Sequence, residues 1–308
     1  MRVGTWNLEN LFRPGEGDPG PTPEVYDAKL ASLAATITEL APDALAVQEV
    51  GSPDALDDLV DRLDGSWQVA LAEPDGRGIR VGVIATGPLT SVEQVADFPD
   101  RLGPVRVDDD GTTITAMGRP ALRARVGDVD VVSVHLKSKL LGFPGGRFDP
   151  RDEGERARYA VFAVHRRAAE AATVRAYADR LLDDLGRERL VVVAGDLNDE
   201  PQAATTQILL GPPGSEIGTG GFDAPDAGDG ARLWNLAPLI PEDERWSRVY
   251  RGRRELIDHL LVSRAAVERV TAVTTGGPLP SSVTDDPRGR ALVPASDHRP
   301  VVATLGRG

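Results

Sequence analysis

Apolar positions along the chain follow two periods. Leu30, Leu33, Ala34, Ile37 and Leu40 recur at spacings of three and four, which predicts a helix that Pro42 ends. Ser52 as N-cap and Pro53 at the first helical position predict a second, short helix to about Leu63. The longest helical pattern runs from about Glu155 to Leu185. Val161, Val164, Ala168, Ala171, Val174, Ala178, Leu181 and Leu185 form its apolar stripe, and Arg156, Arg158, Arg166, Arg167, Arg175 and Arg180 crowd the rest. Between and after these helices lie apolar runs of strand length, at residues 3–6, 44–50, 67–72, 81–85, 91–98, 121–126, 129–136, 190–194, 245–250, 256–262, 267–274 and 301–305.

Two stretches rich in Gly, Pro and Asp, residues 13–23 and 211–230, read as loops. Helices alternate with strands, while close strand pairs such as the one around Gly127 and Asp128 look like hairpins. The pattern predicts an α/β protein with a mixed sheet and helices packed outside it. No repeat and no composition break marks a linker, so one domain over residues 1–308 is expected.

Composition narrows the chemistry. Charged residues make up 27% and hydrophobic ones 41%, which excludes a disordered or fibrous chain. Cysteine is absent, which excludes disulfides, thiolate zinc sites, iron–sulfur clusters and a Cys nucleophile. The net charge of −13 means that any polyanion would be met through a local patch or a bound metal, not through the overall field. No stretch approaches the length of a membrane span, and the start lacks the pattern of a signal peptide, so a cytoplasmic monomer is expected.

Polar groups gather where strands end, the place where α/β folds put their sites. The segments are Thr5-Trp-Asn7, Val47-Gln-Glu49, Ser133-Val-His135, Gly195-Asp196-Leu-Asn198, Leu256-Ile-Asp258-His259 and Ser296-Asp297-His298. A lone Asp or Asn after a strand is ordinarily a turn residue or a cap. The set is different: hard oxygen ligands with imidazoles suit Mg²⁺ or Mn²⁺, one or two ions, better than zinc.

Together these segments resemble the endonuclease/exonuclease/phosphatase superfamily, the DNase I-like proteins. The resemblance is carried by Thr-Trp-Asn-Leu-Glu-Asn-Leu-Phe (5–12), Leu-Ala-Val-Gln-Glu (45–49), Val-Ser-Val-His-Leu (132–136), Ala-Gly-Asp-Leu-Asn (194–198), Leu-Ile-Asp-His-Leu-Leu-Val-Ser (256–263) and Ser-Asp-His-Arg-Pro-Val (296–301). It implies a four-layer α/β sandwich, two mixed sheets packed face to face and flanked by helices, and metal-dependent hydrolysis of a phosphoester. Glu49 then matches the principal metal carboxylate, Asn7 the Asn that supports the metal site, and Asp297 a further carboxylate there. Asp196 and Asn198 match the pair that positions the attacking water and a phosphate oxygen. His298 matches the catalytic His, Asp258 the Asp that orients it, and His135 the residue that hydrogen-bonds the phosphate. Either Asp196 or His298 could take the proton of the water; Asp196 is taken as the activator and His298 as a phosphate-facing stabiliser or alternate base.

Other residues carry two readings. If its strand continues, His135 shares a face with Lys137 and Lys139, which would suit a phosphate-rich substrate; otherwise the lysines are a solvated strand end. His259 falls on the opposite face from Asp258 and reads as structural, and His165 as a surface residue. Residues 140–165 look like an insertion overhanging the site. Within it Arg147, Arg151, Arg156 and Arg158 either meet phosphates or pair with Asp149, Asp152, Glu153 and Glu155 nearby. The reading is a phosphodiester hydrolase, a nuclease on DNA or RNA. Its alternatives are a phosphatase or phosphodiesterase on a small phosphoester (a nucleotide, a sugar or inositol phosphate, or a lipid head group) and, more remotely, a non-catalytic binding protein.

Overall fold

The computed structural model describes residues 1–17, 20–214, 216–283 and 293–306. In chain order its elements are β1 (Arg2–Leu11), α1 (Pro23–Leu40), β2 (Ala44–Val50), α2 (Pro53–Val60), β3 (Gln68–Leu71), β4 (Arg80–Ala85) and β5 (Leu89–Asp97). A small hairpin follows, β6 (Val105–Arg106) and β7 (Thr113–Ile114), then β8 (Ala116–Val126), β9 (Val129–His135), α3 (Glu153–Leu182), β10 (Leu190–Asp196), α4 (Ala204–Gln207) and α5 (Gly220–Asp223). The last part holds β11 (Trp234–Asn235), β12 (Arg248–Tyr250), β13 (Arg253–Glu255), β14 (Asp258–Val262), α6 (Arg264–Val267), β15 (Val270–Thr275) and β16 (Val301–Leu305).

Two six-stranded mixed sheets form, in the orders β15-β16-β1-β2-β4-β3 and β11-β14-β10-β9-β8-β5. Each has one parallel pair at its centre, β1 with β2 and β9 with β10, and is otherwise antiparallel. Side chains alternate along a strand, so each strand divides its apolar residues between two layers. Val3, Ala44, Ala46, Val131, Val192, Ala194, Leu260 and Ala303 face the other sheet. Leu45, Val47 and Ile84 meet α1 and α2, whereas Val132, Val134, Val191 and Val193 meet α3. The result is the expected four-layer α/β sandwich. The many Ala and Val residues between the sheets let them approach closely, and each buried Val contributes about 1.5–3 kcal/mol.

The inward faces share a second pattern that builds the site. They read Val3-Thr5-Asn7, Ala44-Ala46-Gln48, Val131-Ser133-His135 and Val192-Ala194-Asp196, each passing from apolar to polar at the carboxyl end. β14 and β16 run antiparallel to their neighbours, so their amino ends, with Asp258 and the segment containing His298, arrive at that same end. Midway, Gln48 links the sheets: Thr5 Oγ1 donates to Gln48 Oε1 (3.2 Å), and Gln48 Nε2 donates to Ser133 Oγ (3.3 Å).

Several expected elements differ. β1 runs well beyond residue 6, because irregular pairing after Asn7 lets it continue to Leu11. Val267 belongs to α6, and β15 begins only at Val270. The stretch 211–230, of which residue 215 lies outside the described residues, holds α5 and a short 3-10 turn at Ala227–Gly230. In α3 the buried face is rotated from the expected stripe. Val161 and Val164 are about half exposed, while Arg167, Glu170 and Arg175 are buried. These polar residues can lie inside because each has partners: Arg167 Nε meets Asp199 Oδ2 at 3.0 Å, Glu170 accepts from the Lys137 amide at 2.5 Å, and Arg175 donates to Leu209 O at 2.9 Å. Among the described residues no helix is long and apolar enough to cross a membrane.

Candidate active site

At the polar end of the sandwich the structure brings together Asn7, Glu49, His135, Asp196, Asn198, Asp258, Asp297 and His298. All are buried except Glu49, which is partly exposed. Asn7 is the hinge between the sheets. Its Nδ2 donates to Glu49 Oε1 and to Asp196 Oδ2, 3.1 Å each, and its Oδ1 accepts from the Glu9 amide at 2.9 Å.

Glu49 is aimed by a distortion. Strict alternation after inward-facing Gln48 would turn it toward the helical layer. Its φ of +59° and the register shift between Val47 and Val50 return it to the site, where the Asn10 amide donates to Oε2 at 2.9 Å. A glutamate in the left-handed region is strained, and such strain concentrates at functional positions. Asn198 also has positive φ, 54°; its amide donates to Asp196 Oδ1 at 2.8 Å and its Nδ2 to Leu136 O at 3.0 Å. That turn fixes the Asp196 carboxylate.

His298 Nδ1 lies 2.7 Å from Asp258 Oδ2, which assigns its outward nitrogen, Nε2, to the site. Nε2 is 3.9 Å from Asp196 Oδ2 and 3.8 Å from Asp297 Oδ1. Burial disfavours its charge, but Asp258 and Asp297 outweigh burial and hold the imidazolium up to about 10. For Asp196, burial first and Asp258 second push the carboxyl up to about 7. His135 is driven the other way, well below the usual imidazole range, by burial and then by Arg119 and His298. It is therefore a neutral ring, with Nε2 3.5 Å from Asp196 Oδ2 and 3.9 Å from Glu49 Oε1.

The backing of the site includes residues to which the sequence reading gave no role. Ser296 Oγ donates to Asn7 O at 2.6 Å and accepts from the His298 amide at 3.0 Å. Ser247 Oγ accepts from the amides of Ile257 and Asp258, at 3.1 and 3.2 Å. Trp6 Nε1 donates to His298 O at 2.9 Å. Ser247 lies 11 residues before Asp258 in a stretch that reads as a plain strand, so no local signal marks it.

Lys137, Lys139 and Arg147 are turned elsewhere. β9 ends at His135, so Lys137 and Lys139 do not continue its face. Lys137 Nζ donates to Ser138 O and Leu140 O, and Lys139 Nζ lies 3.4 Å from Asp199 Oδ1. Arg147 pairs with Glu155 at 2.8 Å and donates to Asp149 O. Arg156 pairs with Glu153, and Arg158 with Asp109. Arg147 and Arg156 thus pair with nearby acids of the same segment, whereas Arg158 pairs with an acid outside it. His259 contacts Asn235 and the Asp199 carbonyl, as a packing residue would, and His165 is exposed.

The donor set fits a hard divalent cation. Glu49 Oε1 and Asp196 Oδ2 converge on the same amide and the same neutral imidazole, with Glu49 open to solvent. One atom each of Asp196, Asp258 and His298 also lies within 4.8 Å of the others. Those three make a poorer site, because His298 is held protonated and Asp258 is committed to it.

A model of the endonuclease/exonuclease/phosphatase family matches residues 4–298. The chain belongs to that family. Solved structures agree in fold. A 3'-5' exonuclease from Neisseria meningitidis superimposes with a TM-score of 0.54 at 17% identity, covering 100% of both chains. An AP endonuclease from Archaeoglobus fulgidus gives 0.54 at 15%, covering 99% of both. A Neisseria 3' phosphatase bound to a product DNA hairpin gives 0.54 at 18%, covering 100% of both. No curated protein matches the chain by sequence. The site described above falls within the stretch that the family model matches, from Asn7 to His298.

Proposed function

We propose that this chain is a divalent-metal-dependent phosphodiester hydrolase and that its substrate is DNA or RNA. The observation that carries the chemistry is the Asn7 amide joining Glu49 to Asp196 across the two sheets, with the Asp258–His298 pair facing Asp196. The similar structures named an exonuclease, an AP endonuclease and a DNA-bound 3' phosphatase support the substrate class.

Glu49 and Asp196, steadied by Asn7, would hold Mg²⁺ or Mn²⁺, with Asp297 nearby. Bound there, the cation neutralises phosphate charge and stabilises the leaving oxygen. Asp196, held by Asn7 and Asn198, orients the attacking water. His298, held as a cation by Asp258 and Asp297 in the metal-free site, faces the phosphate and stabilises the charge that grows on it. Asp258 keeps it protonated and oriented. His135 offers a neutral N–H, and Asn198 fixes Asp196. Lys137 and Arg147 join the substrate only by releasing their present partners.

The test is hydrolysis of labelled single- and double-stranded DNA and of RNA with Mg²⁺, Mn²⁺ or EDTA, with Asp196→Ala alongside. Metal-dependent cleavage lost in the variant supports the nuclease reading. Intact polymers together with hydrolysis of a nucleotide or sugar phosphate would replace it with the small-phosphoester reading. If neither substrate class is cleaved, the hydrolase reading falls.

A further inference from the structure

Asp258 and His259 are successive residues of β14, so their side chains point to opposite faces of the sheet. Asp258 faces the other sheet and holds His298. His259 shares the face of Leu261, toward the layer of α3, and is 1% exposed. Its partner in register is Gly195, which adds no side chain on that face. The imidazole reaches the chain that leaves β10: Nε2 lies 2.9 Å from the Asp199 carbonyl oxygen.

The partner of the other ring nitrogen decides the tautomer. Asn235 Oδ1 accepts from the Ala237 amide at 2.9 Å, so the nitrogen end of that side chain meets His259 Nδ1, at 3.2 Å. An amide nitrogen donates, so Nδ1 is the acceptor. Burial keeps the ring below the usual imidazole range, and it carries a single proton. That proton is on Nε2 and is donated to Asp199 O.

The turn gripped in this way aims the reacting groups. Asn198 sits in it at φ 54°, with its amide on Asp196 Oδ1 and its Nδ2 on Leu136 O. Three successive residues at the start of β14 hold the turn. Ile257 O accepts from the Leu197 amide at 2.9 Å, Asp258 stands beside Asp196 in register, and His259 takes Asp199 O. From the helical layer, Arg167 Nε and Thr205 Oγ1 donate to Asp199 Oδ2, at 3.0 and 2.7 Å. Those two bonds fix the Asp199 side chain, whereas the His259 bond fixes its backbone. A residue in the left-handed region keeps its conformation when the chain on both sides is over-determined. Before Asn198 the strand pairs of Asp196 supply this; after it, the His259 bond does.

Resting on the phosphodiesterase reading, we propose that His259 is a positioning residue of the reaction. Through Asp199 O it holds residues 196–199 in the form that aims Asp196 and Asn198. The same bonds that let the imidazole be buried thus serve the reacting groups, although the ring itself lies on the far face of the sheet.

The full-length protein is compared with two variants. H259Q can place an amide donor where Nε2 lies, and H259L fills the space without a donor. In hydrolysis of bis(p-nitrophenyl) phosphate with Mn²⁺, kcat should fall by about 10–100-fold in H259L with KM within about threefold of the parent. H259Q should keep kcat within about fivefold. H259N, too short to reach Asp199 O, should behave as H259L and takes its place if H259L does not fold. Hydrogen exchange by NMR reads the turn without turnover. The exchange rate of the Asn198 amide, divided by that of Val193 in mid-strand, should rise at least about tenfold in H259L and stay within about twofold in H259Q. Three outcomes overturn the proposal: H259L with kcat within about twofold of the parent, equal loss of kcat in H259Q, or an unchanged exchange ratio in H259L. No hydrolysis by the parent counts against the phosphodiesterase reading, and the exchange ratio then decides on its own whether His259 holds the turn.

Discussion

His298 Nδ1 and Asp258 Oδ2 are 2.7 Å apart, and Asp258 is fully buried. A buried carboxylate beside an imidazole sets both its orientation and its charge. In the metal-free site the residue is thereby held as a cation that faces Asp196.

Asp258→Asn removes that charge while keeping the shape. The kcat for phosphodiester hydrolysis should fall by about 10²-fold or more. Burial would then act on His298 with less opposition, so its titration, followed by NMR, should move down from about 10. A variant with normal kcat, or with an unmoved His298 titration, would show that the pair is only structural.

The two carboxylates that share Asn7 make a prediction about metal. Mn²⁺ should raise the Tm of the wild type, and Glu49→Gln should abolish that rise. Asn7→Ala removes the donor to both carboxylates, and cation affinity by calorimetry should drop about 10–100-fold. Retention of full Mn²⁺ affinity in Glu49→Gln would move the ion away from this carboxylate pair.

The pH dependence of the metal-free protein follows from two raised groups. His298 is held at about 10 against an ordinary 6.5, so its contribution is complete below 6.5 and is lost as pH rises through 10. Asp196 is raised to about 7 from 3.8, so its burial costs nothing below 3.8 and its full amount above 7. Both act in one direction: in EDTA, their contribution to stability declines as pH rises from 3.8 to 10. A cation requires ionised Asp196, so its gain in Tm should be larger at pH 8 than at pH 5. Chemical denaturation in EDTA across this range, with Asp196→Asn and His298→Ala as controls, checks the sign. A decline as steep in both variants as in the parent would assign it to other groups.

The apolar pattern by itself predicted an α/β fold with a mixed sheet and outer helices, and the four layers followed from the family resemblance of the polar strand ends. The site was legible because those strand ends carry a chemically coherent set of polar residues. Three features were not. The rotation of Glu49 depends on a backbone bulge that side-chain pattern does not record. The burial of Arg167 depends on Asp199, 32 residues away, which only the folded chain brings near. The role of Ser247 lies in its bonds to the amides of Ile257 and Asp258, ten and eleven residues farther along, within a stretch that reads as a plain strand.

Gly195 is where fold and site depend on one atom. It stands between β9 and β14, paired with Val134 on one side and His259 on the other. A Cβ there would lie 1.9 Å from the Val134 carbonyl oxygen, a backbone atom that cannot move aside. The next pairs in register are His135 with Asp196 and Asp196 with Asp258. Any separation of these strands is transmitted straight to the reacting groups. Gly195→Ala should therefore destabilise by about 3 kcal/mol or more, the upper range for overpacking. It should also lower kcat in the fraction that remains folded. Urea unfolding paired with kinetics on folded protein separates the two effects. A stable variant with wild-type kcat would mean that β9 and β10 can part without disturbing Asp196.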